Sequence, residues 1–173
     1  IVDSQGFAWY ASFGEMILGK MDIKTGKITE YPIPRLKAKM PTGILGVRFD
    51  RDENIWMGMQ FQGGIAKFDR KTEKFQTWSL PPELDGDHVQ INQVSPNHSY
   101  VDGKVWFQDA GTYTILRLDV ASGKIESFAP FKIPRPNIYD VISDPENNAY
   151  FTVYGRGDIG KIDGIDLADI PAA

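Results

Sequence analysis

The chain has 173 residues, 42 % of them hydrophobic, and 19 Lys and Arg against 23 Asp and Glu give a net charge of −4. That balance supplies no basic footprint for nucleic acid or for an anionic membrane, and no apolar run approaches the ~20 residues needed to span a bilayer. With no cysteine in the chain, disulfides, thiolate metal sites and cysteine nucleophiles are excluded, while the compartment is left open.

From the N-terminus, residues 1–3 read as the stub of a strand, followed by strands at 8–12, 18–22 and 28–33, with the turn Lys24-Thr25-Gly26-Lys27 before the last. Ile1 is neither a Met nor the start of a signal-like segment, which fits a processed or excised piece. The next segment is the clearest. Strands are predicted at 47–50, 55–59, 65–69 and 75–80, separated by Asp50-Arg51-Asp52-Glu53-Asn54, by Gln60-Phe61-Gln62-Gly63-Gly64 and by Arg70-Lys71-Thr72-Glu73-Lys74, and stopped by Pro81-Pro82. The strands are short and rich in β-branched and aromatic residues, and glycine supplies the positive φ that tight turns require. A third segment follows at 90–94, 105–109, 115–119 and 125–128, with a longer turn around Pro96-Asn97-His98. A fourth runs through 139–143, 149–153 and 159–163, then enters a tail at 164–173 with no convincing further strand.

Two markers keep these segments in register. The aromatics Trp9, Trp56, Trp106 and Tyr150 step by 47, 50 and 44 residues, and so do Asp22, Asp69, Asp119 and Asp163. A repeat of about 40–50 residues built from short strands is the signature of a β-propeller, in which each repeat is one four-stranded blade. The fold class is therefore all-β, with about four blades at roughly 1–34, 35–81, 82–130 and 131–173. Each aromatic anchor is expected on a second strand, packed between neighbouring blades. An open arc of four would expose its terminal faces, so a larger ring of six to eight blades is favoured over a dimer of half-rings and over a closed four-blade ring. The partners expected are the remaining blades of that ring or a second copy.

The repeat wording resembles the streptogramin (virginiamycin B) lyase-like propellers and their NHL-like neighbours. Residues 49–56 (FDRDENIW), 64–69 (GIAKFD) and 72–75 (TEKF) follow the family pattern, and 20–34 (KMDIKTGKITEYPIP) matches its second half closely. The resemblance implies a periplasmic or secreted setting, with a cytoplasmic one left open. It also implies a lyase that opens a cyclic depsipeptide by elimination, with Mg²⁺ as the cofactor and His and Glu on the top face of the ring. Family enzymes place a His eleven residues before the aromatic anchor and a Glu three after it. Here those positions are Leu45 and Met59, Ser95 and Asp109, Tyr139 and Val153, with Ser12 alone in the first blade, so no blade reproduces the pair.

The residues themselves offer a weaker pair. His88 lies where an outer strand returns to the next inner one, and Asp109 ends a second strand; both points fall on one face of a propeller. Together they could share a metal or act as base and orienter, and the bland reading is a solvated His beside a turn Asp that accepts backbone N–H bonds. His98 sits in the opposite, polar turn. Residues 50–61 begin like a calcium loop, but Ile55 and Phe61 stand where that loop needs Gly and Glu, so a hairpin turn is predicted. Connections on the top face alternate in charge: Arg35, Lys37 and Lys39, then Glu83, Asp85 and Asp87, then Lys132 and Arg135. Gln60, Phe61, Gln62, Tyr113, Tyr139, Tyr154 and Arg156 are the candidate ligand contacts there. Two functions follow: a recognition or scaffold domain that binds a small molecule or a protein on these loops, or part of a metal-dependent lyase-like enzyme.

Overall fold

The computed structural model of the protein describes residues 1–40, 43–96, 102–128, 137–154 and 157–163. Four antiparallel sheets follow one another along the chain. The first contains β1 (Phe7–Ala11), β2 (Ile17–Asp22) and β3 (Ile28–Pro32), and the second β4 (Val47–Phe49), β5 (Ile55–Met59), β6 (Gly64–Asp69) and β7 (Lys74–Ser79). The third contains β8 (Ile91–Ser95), β9 (Lys104–Asp109), β10 (Thr114–Asp119) and β11 (Ile125–Phe128), and the fourth β12 (Ile138–Ser143), β13 (Ala149–Val153) and β14 (Asp158–Ile162). Each sheet is a meander, the blade geometry that the repeat predicts. The predicted stub at 1–3 is a single bridge from Val2 to Ala8. Residues 97–101, with His98, and the tail from 164 lie outside the described residues.

The repeated residues perform the same jobs in each blade. Trp9, Trp56, Trp106 and Tyr150 pair across the sheet with Lys20, Lys67, Arg117 and Lys161. Each cation lies over its ring, at 5.3, 5.6, 5.3 and 5.9 Å from the centroid, an attraction to the face of the π-system. A carboxylate six residues earlier ties the anchor to its own hairpin. The Trp9 indole donates to Asp3 at 2.7 Å and the Trp56 indole to Asp50 at 2.9 Å, while Tyr150 is bonded to Asp144. In the third blade the residue six before the anchor is Tyr100 rather than a carboxylate, and the Trp106 indole donates to the Asn147 carbonyl of the next blade at 2.8 Å. The residue three before each anchor, Gly6, Glu53, Gly103 or Asn147, has positive φ.

Successive blades pack face to face. Trp9 and Leu18 meet Met57, Ala66 and Phe68; Trp56 and Ile65 meet Phe107, Leu116 and Leu118; Trp106 and Ile115 meet Ala149, Phe151 and Val153. No core cluster among the described residues joins the fourth blade to the first. Tyr150 accordingly departs from the expected burial: it is half-buried, where the three tryptophans are at most 3 % exposed. Ion pairs add inter-blade ties. Arg70 binds Asp3 and Glu53, and Arg48 on β4 reaches past the third blade to Asp140 on β12 in a bidentate pair at 2.7 and 2.8 Å.

The turn aspartates make folding sensitive to acid. Asp22, Asp69 and Asp119 accept backbone N–H bonds from the third-to-fourth-strand hairpins, and those bonds hold each carboxyl below its usual range. Burial alone would raise Asp3, but the Trp9 indole, the Phe7 and Gln5 amides and the Arg70 guanidinium outweigh it and leave Asp3 lowered as well. A depressed carboxylate stabilises the fold above its unfolded pKa of about 4, and that contribution is lost as pH falls through the lower folded-state value. The urea midpoint should therefore fall steadily from about pH 4 downwards. An acid-insensitive midpoint would show that these turns do not hold ionised aspartates.

Candidate functional site: the loop face

In a four-stranded meander, the link between second and third strands and the link from the fourth strand to the next blade emerge at the same end. The 60–63 turn, the 110–113 turn, the 35–40 loop and the 83–88 loop thus share one face. Gln62, fully buried, organises it. Its Oε1 accepts from Leu36 N and Lys37 N at 2.9 and 2.8 Å, and its Nε2 donates to the Lys37 and Met40 carbonyls at 3.1 and 2.9 Å. The stapled loop presents Lys37 to Asp85 at 2.5 Å, so the alternating charges of neighbouring connections join in an ion pair. Gln60 is buried too: its N–H donates to the Gly43 carbonyl at 3.1 Å, and its Oε1 has no hydrogen-bond partner among the described residues.

Asp109 is 1 % exposed. Its Oδ1 accepts from Gln90 N at 2.7 Å and from Gly111 N at 2.9 Å, and its Oδ2 accepts from the Thr112 hydroxyl at 2.6 Å. The carboxylate therefore locks the β9–β10 hairpin onto the chain entering β8. His88 is exposed. Its backbone carbonyl lies against Gly111, but no hydrogen bond or ion pair joins its ring to Asp109. The structure thus brings the two residues to one face without coupling their side chains. Between the 83–86 stretch and Asp109, Thr112, Thr114 and Leu116 lies a cavity of about 290 Å³.

The aromatics distribute unevenly. Tyr113 forms the tip of the β9–β10 hairpin, 36 % exposed and at φ 60°. Phe61 is half-buried. Tyr139 and Tyr154 are 58 % and 69 % exposed, with ring centroids 6.0 Å apart. Arg156, Lys132 and Arg135 lie outside the described residues. Of the positions where the resemblance places His and Glu, Met59, Ser95 and Val153 are buried and Leu45 and Tyr139 exposed, and Asp109 alone carries a carboxylate.

Mg²⁺ takes oxygen ligands in a near-octahedral set. The described residues gather no group of three His, Cys, Asp or Glu side chains, and the Asp109 oxygens are already engaged. That donor set does not fit the ion. Sequence reasoning missed Asp3, Asp50 and Asp144, although the six-residue spacing to the aromatic was visible. It also missed the Gln62 staple and the Arg48–Asp140 pair, for which no local pattern exists.

No family pattern and no curated protein matches the chain. Solved structures do. A streptogramin B lyase is 22 % identical with a TM-score of 0.69, over 94 % of this chain and 53 % of its own. A catalytically inactive virginiamycin B lyase from Staphylococcus aureus, solved with quinupristin, is 20 % identical with a TM-score of 0.66, over 94 % and 54 %. The extracellular domain of BT4673 from B. thetaiotaomicron is 17 % identical with a TM-score of 0.69, over 95 % and 20 %. At these identities the likeness establishes a shared propeller fold. The chain spans about half the length of the lyase structures it matches, and among its described residues no helix is long and apolar enough to cross a membrane.

Proposed function

We propose that the chain is a recognition or scaffold part of a β-propeller and takes a ligand group in the loop-face cavity between the 83–88 loop and the β9–β10 hairpin. The hairpin tip carries this reading. In the second and fourth blades the equivalent left-handed position is Gly63 and Gly157, whereas here it is Tyr113. A side chain in that conformation costs about 1–2 kcal/mol, and strain retained beside a cavity is characteristic of ligand clamps. Tyr113 stands in the chain between Thr112 and Thr114, which line the cavity and with Glu83 supply polar contacts, while Leu84 and Leu116 give apolar ones. His88 stands at the edge of the same loop, free to add a further contact. The lyase reading, with Mg²⁺ and a cyclic lactone, draws on the fold likeness alone. An extracytoplasmic location belongs to this proposal and is supported by the likeness to an extracellular domain.

The test is a titration of the isotope-labelled chain followed by amide resonances, with quinupristin, a set of mono- and oligosaccharides and a set of dipeptides as probes. The expected result is that at least one probe moves Leu84, Thr112 and Thr114, and that Tyr113→Gly, which suits the backbone, weakens that binding about tenfold. Silence of these resonances for every probe, or undiminished binding to Tyr113→Gly, would overturn the reading. A ring-opened product from quinupristin would put the lyase in its place.

A further inference from the structure

The polar side chains that line the cavity between the 83–86 stretch and the β9–β10 hairpin are Glu83, Asp109, Thr112 and Thr114. A carboxylate only accepts hydrogen bonds, whereas a hydroxyl has one proton to donate and lone pairs to receive with. The Thr112 hydroxyl donates its proton to Asp109 Oδ2 at 2.6 Å. The Thr112 and Thr114 hydroxyl oxygens are 2.9 Å apart. With the Thr112 proton committed, Thr114 is the donor in that contact. Both protons therefore run inward, from Thr114 to Thr112 to Asp109, and the threonines offer the cavity lone pairs alone. Every polar side chain of the lining is thus an acceptor. The charge is one-sided too. Asp109, 1 % exposed, is held by Gln90 N, Gly111 N and the Thr112 hydroxyl, with no cation beside it among the described residues. Glu83 is exposed and no Lys, Arg or His lines the cavity. Lys37, on the adjoining loop, is already engaged by Asp85 at 2.5 Å.

We infer that this cavity takes a primary ammonium group on a short alkyl stem. An ammonium brings three donors and no acceptor, which is what a lining of acceptors calls for: the Glu83 carboxylate and the free lone pairs of Thr112 and Thr114. Its charge offsets those of Glu83 and Asp109. Its methylenes cover Leu84 and Leu116, the apolar part of the lining. Competing chemistries fit less well. A carboxylate ligand would meet like charge and lone pairs. An alcohol would bring one donor and no charge. A bare metal ion would leave both leucines uncovered. The volume of about 290 Å³ is near the lower limit for small-molecule sites, so the ligand inserts an amine terminus rather than a large body. The inference rests on the ligand-binding reading of the cavity and names the chemistry of what enters it.

The test follows the amide resonances of Leu84, Thr112 and Thr114 while the labelled chain is titrated with probes matched in size: butylammonium, 1-pentanol and valerate. Nα-acetyl-lysine amide carries the same ammonium on a peptide side chain, and Mg²⁺ alone is a further arm. Butylammonium or the lysine derivative is expected to move all three resonances, and the tighter of the two tells a free amine from a peptide side chain. The alcohol, the acid and Mg²⁺ should leave them in place at equal concentration. Glu83→Gln, an exposed substitution, should weaken amine binding about tenfold, because a hydrogen bond to a charged group is lost. Added salt should weaken it further in the parent chain. Equal shifts from 1-pentanol or valerate, the same shifts from Mg²⁺ alone, or undiminished amine binding to Glu83→Gln would each overturn the ammonium assignment and leave the cavity a binding site. Silence of the three resonances for every probe would overturn the binding reading and this inference with it.

Discussion

Trp106→Ala is expected to cost about 3–5 kcal/mol, the range for a fully buried Trp or Phe truncated in a core. Trp106 is 0 % exposed and sits between the third and fourth blades. Its removal deletes the ring against which Phe128 packs at 5.2 Å and over which Arg117 lies at 5.3 Å, and it leaves the Asn147 carbonyl without the indole donor. Arg117, 3 % exposed, would retain Glu126 and the Phe128 ring but lose the indole face. A typical domain has only about 5–15 kcal/mol of stability in total, so Trp106→Phe serves as a milder companion that keeps an aromatic face and removes the hydrogen bond. Tyr150→Ala, at the half-buried equivalent, should cost clearly less. Urea denaturation followed by circular dichroism measures all three. A loss below about 1 kcal/mol for Trp106→Ala would mean that the aromatic anchors are not the keys between blades.

The blades were legible because a propeller repeats its physics at a fixed spacing. Trp56 and Asp69 are separated by the same interval as Trp106 and Asp119 because each pair spans one hairpin of fixed length. The loop face was legible only as topology. Strand order places His88 and Asp109 at one end, but it says nothing of where their side chains turn. Asp109-Ala110-Gly111-Thr112 has the make-up of an Asx turn, and that local demand takes up the carboxylate that a catalytic reading needs. Asp22, Asp69 and Asp119 give the same warning, since each spends its oxygens on backbone amides. The Arg48–Asp140 pair joins residues 92 apart in the chain, and the Gln62 staple depends on one amide meeting a loop more than twenty residues earlier. Neither leaves a trace in periodicity or composition.

Gly111→Ala is expected to rank beside the Trp106 truncation, and it acts on the loop face. A Cβ at Gly111 would fall inside the contact distance of the His88 backbone carbonyl, with Gln90 N 3.2 Å away. Neither neighbour is a flexible side chain that could swing aside. The strand entering β8 is pinned to the hairpin by Ala110 N–H to the Gln90 carbonyl at 2.9 Å and by Gln90 N–H to Asp109 at 2.7 Å. The added methyl must therefore break those bonds or displace the hairpin. Overpacking costs typically 1–3 kcal/mol, and each lost hydrogen bond adds about 1 kcal/mol, which gives a total of about 3–5 kcal/mol. Gly86→Ala is the control: it borders the same cavity, and a Cβ there meets nothing within 4 Å. It should change stability by less than about 0.5 kcal/mol. Denaturation of the pair separates the two positions, and the probe titration then reads the site itself. If Gly111→Ala folds with the stability of the parent chain, the 83–88 loop is not held by the hairpin, and the cavity between them is not a fixed binding surface.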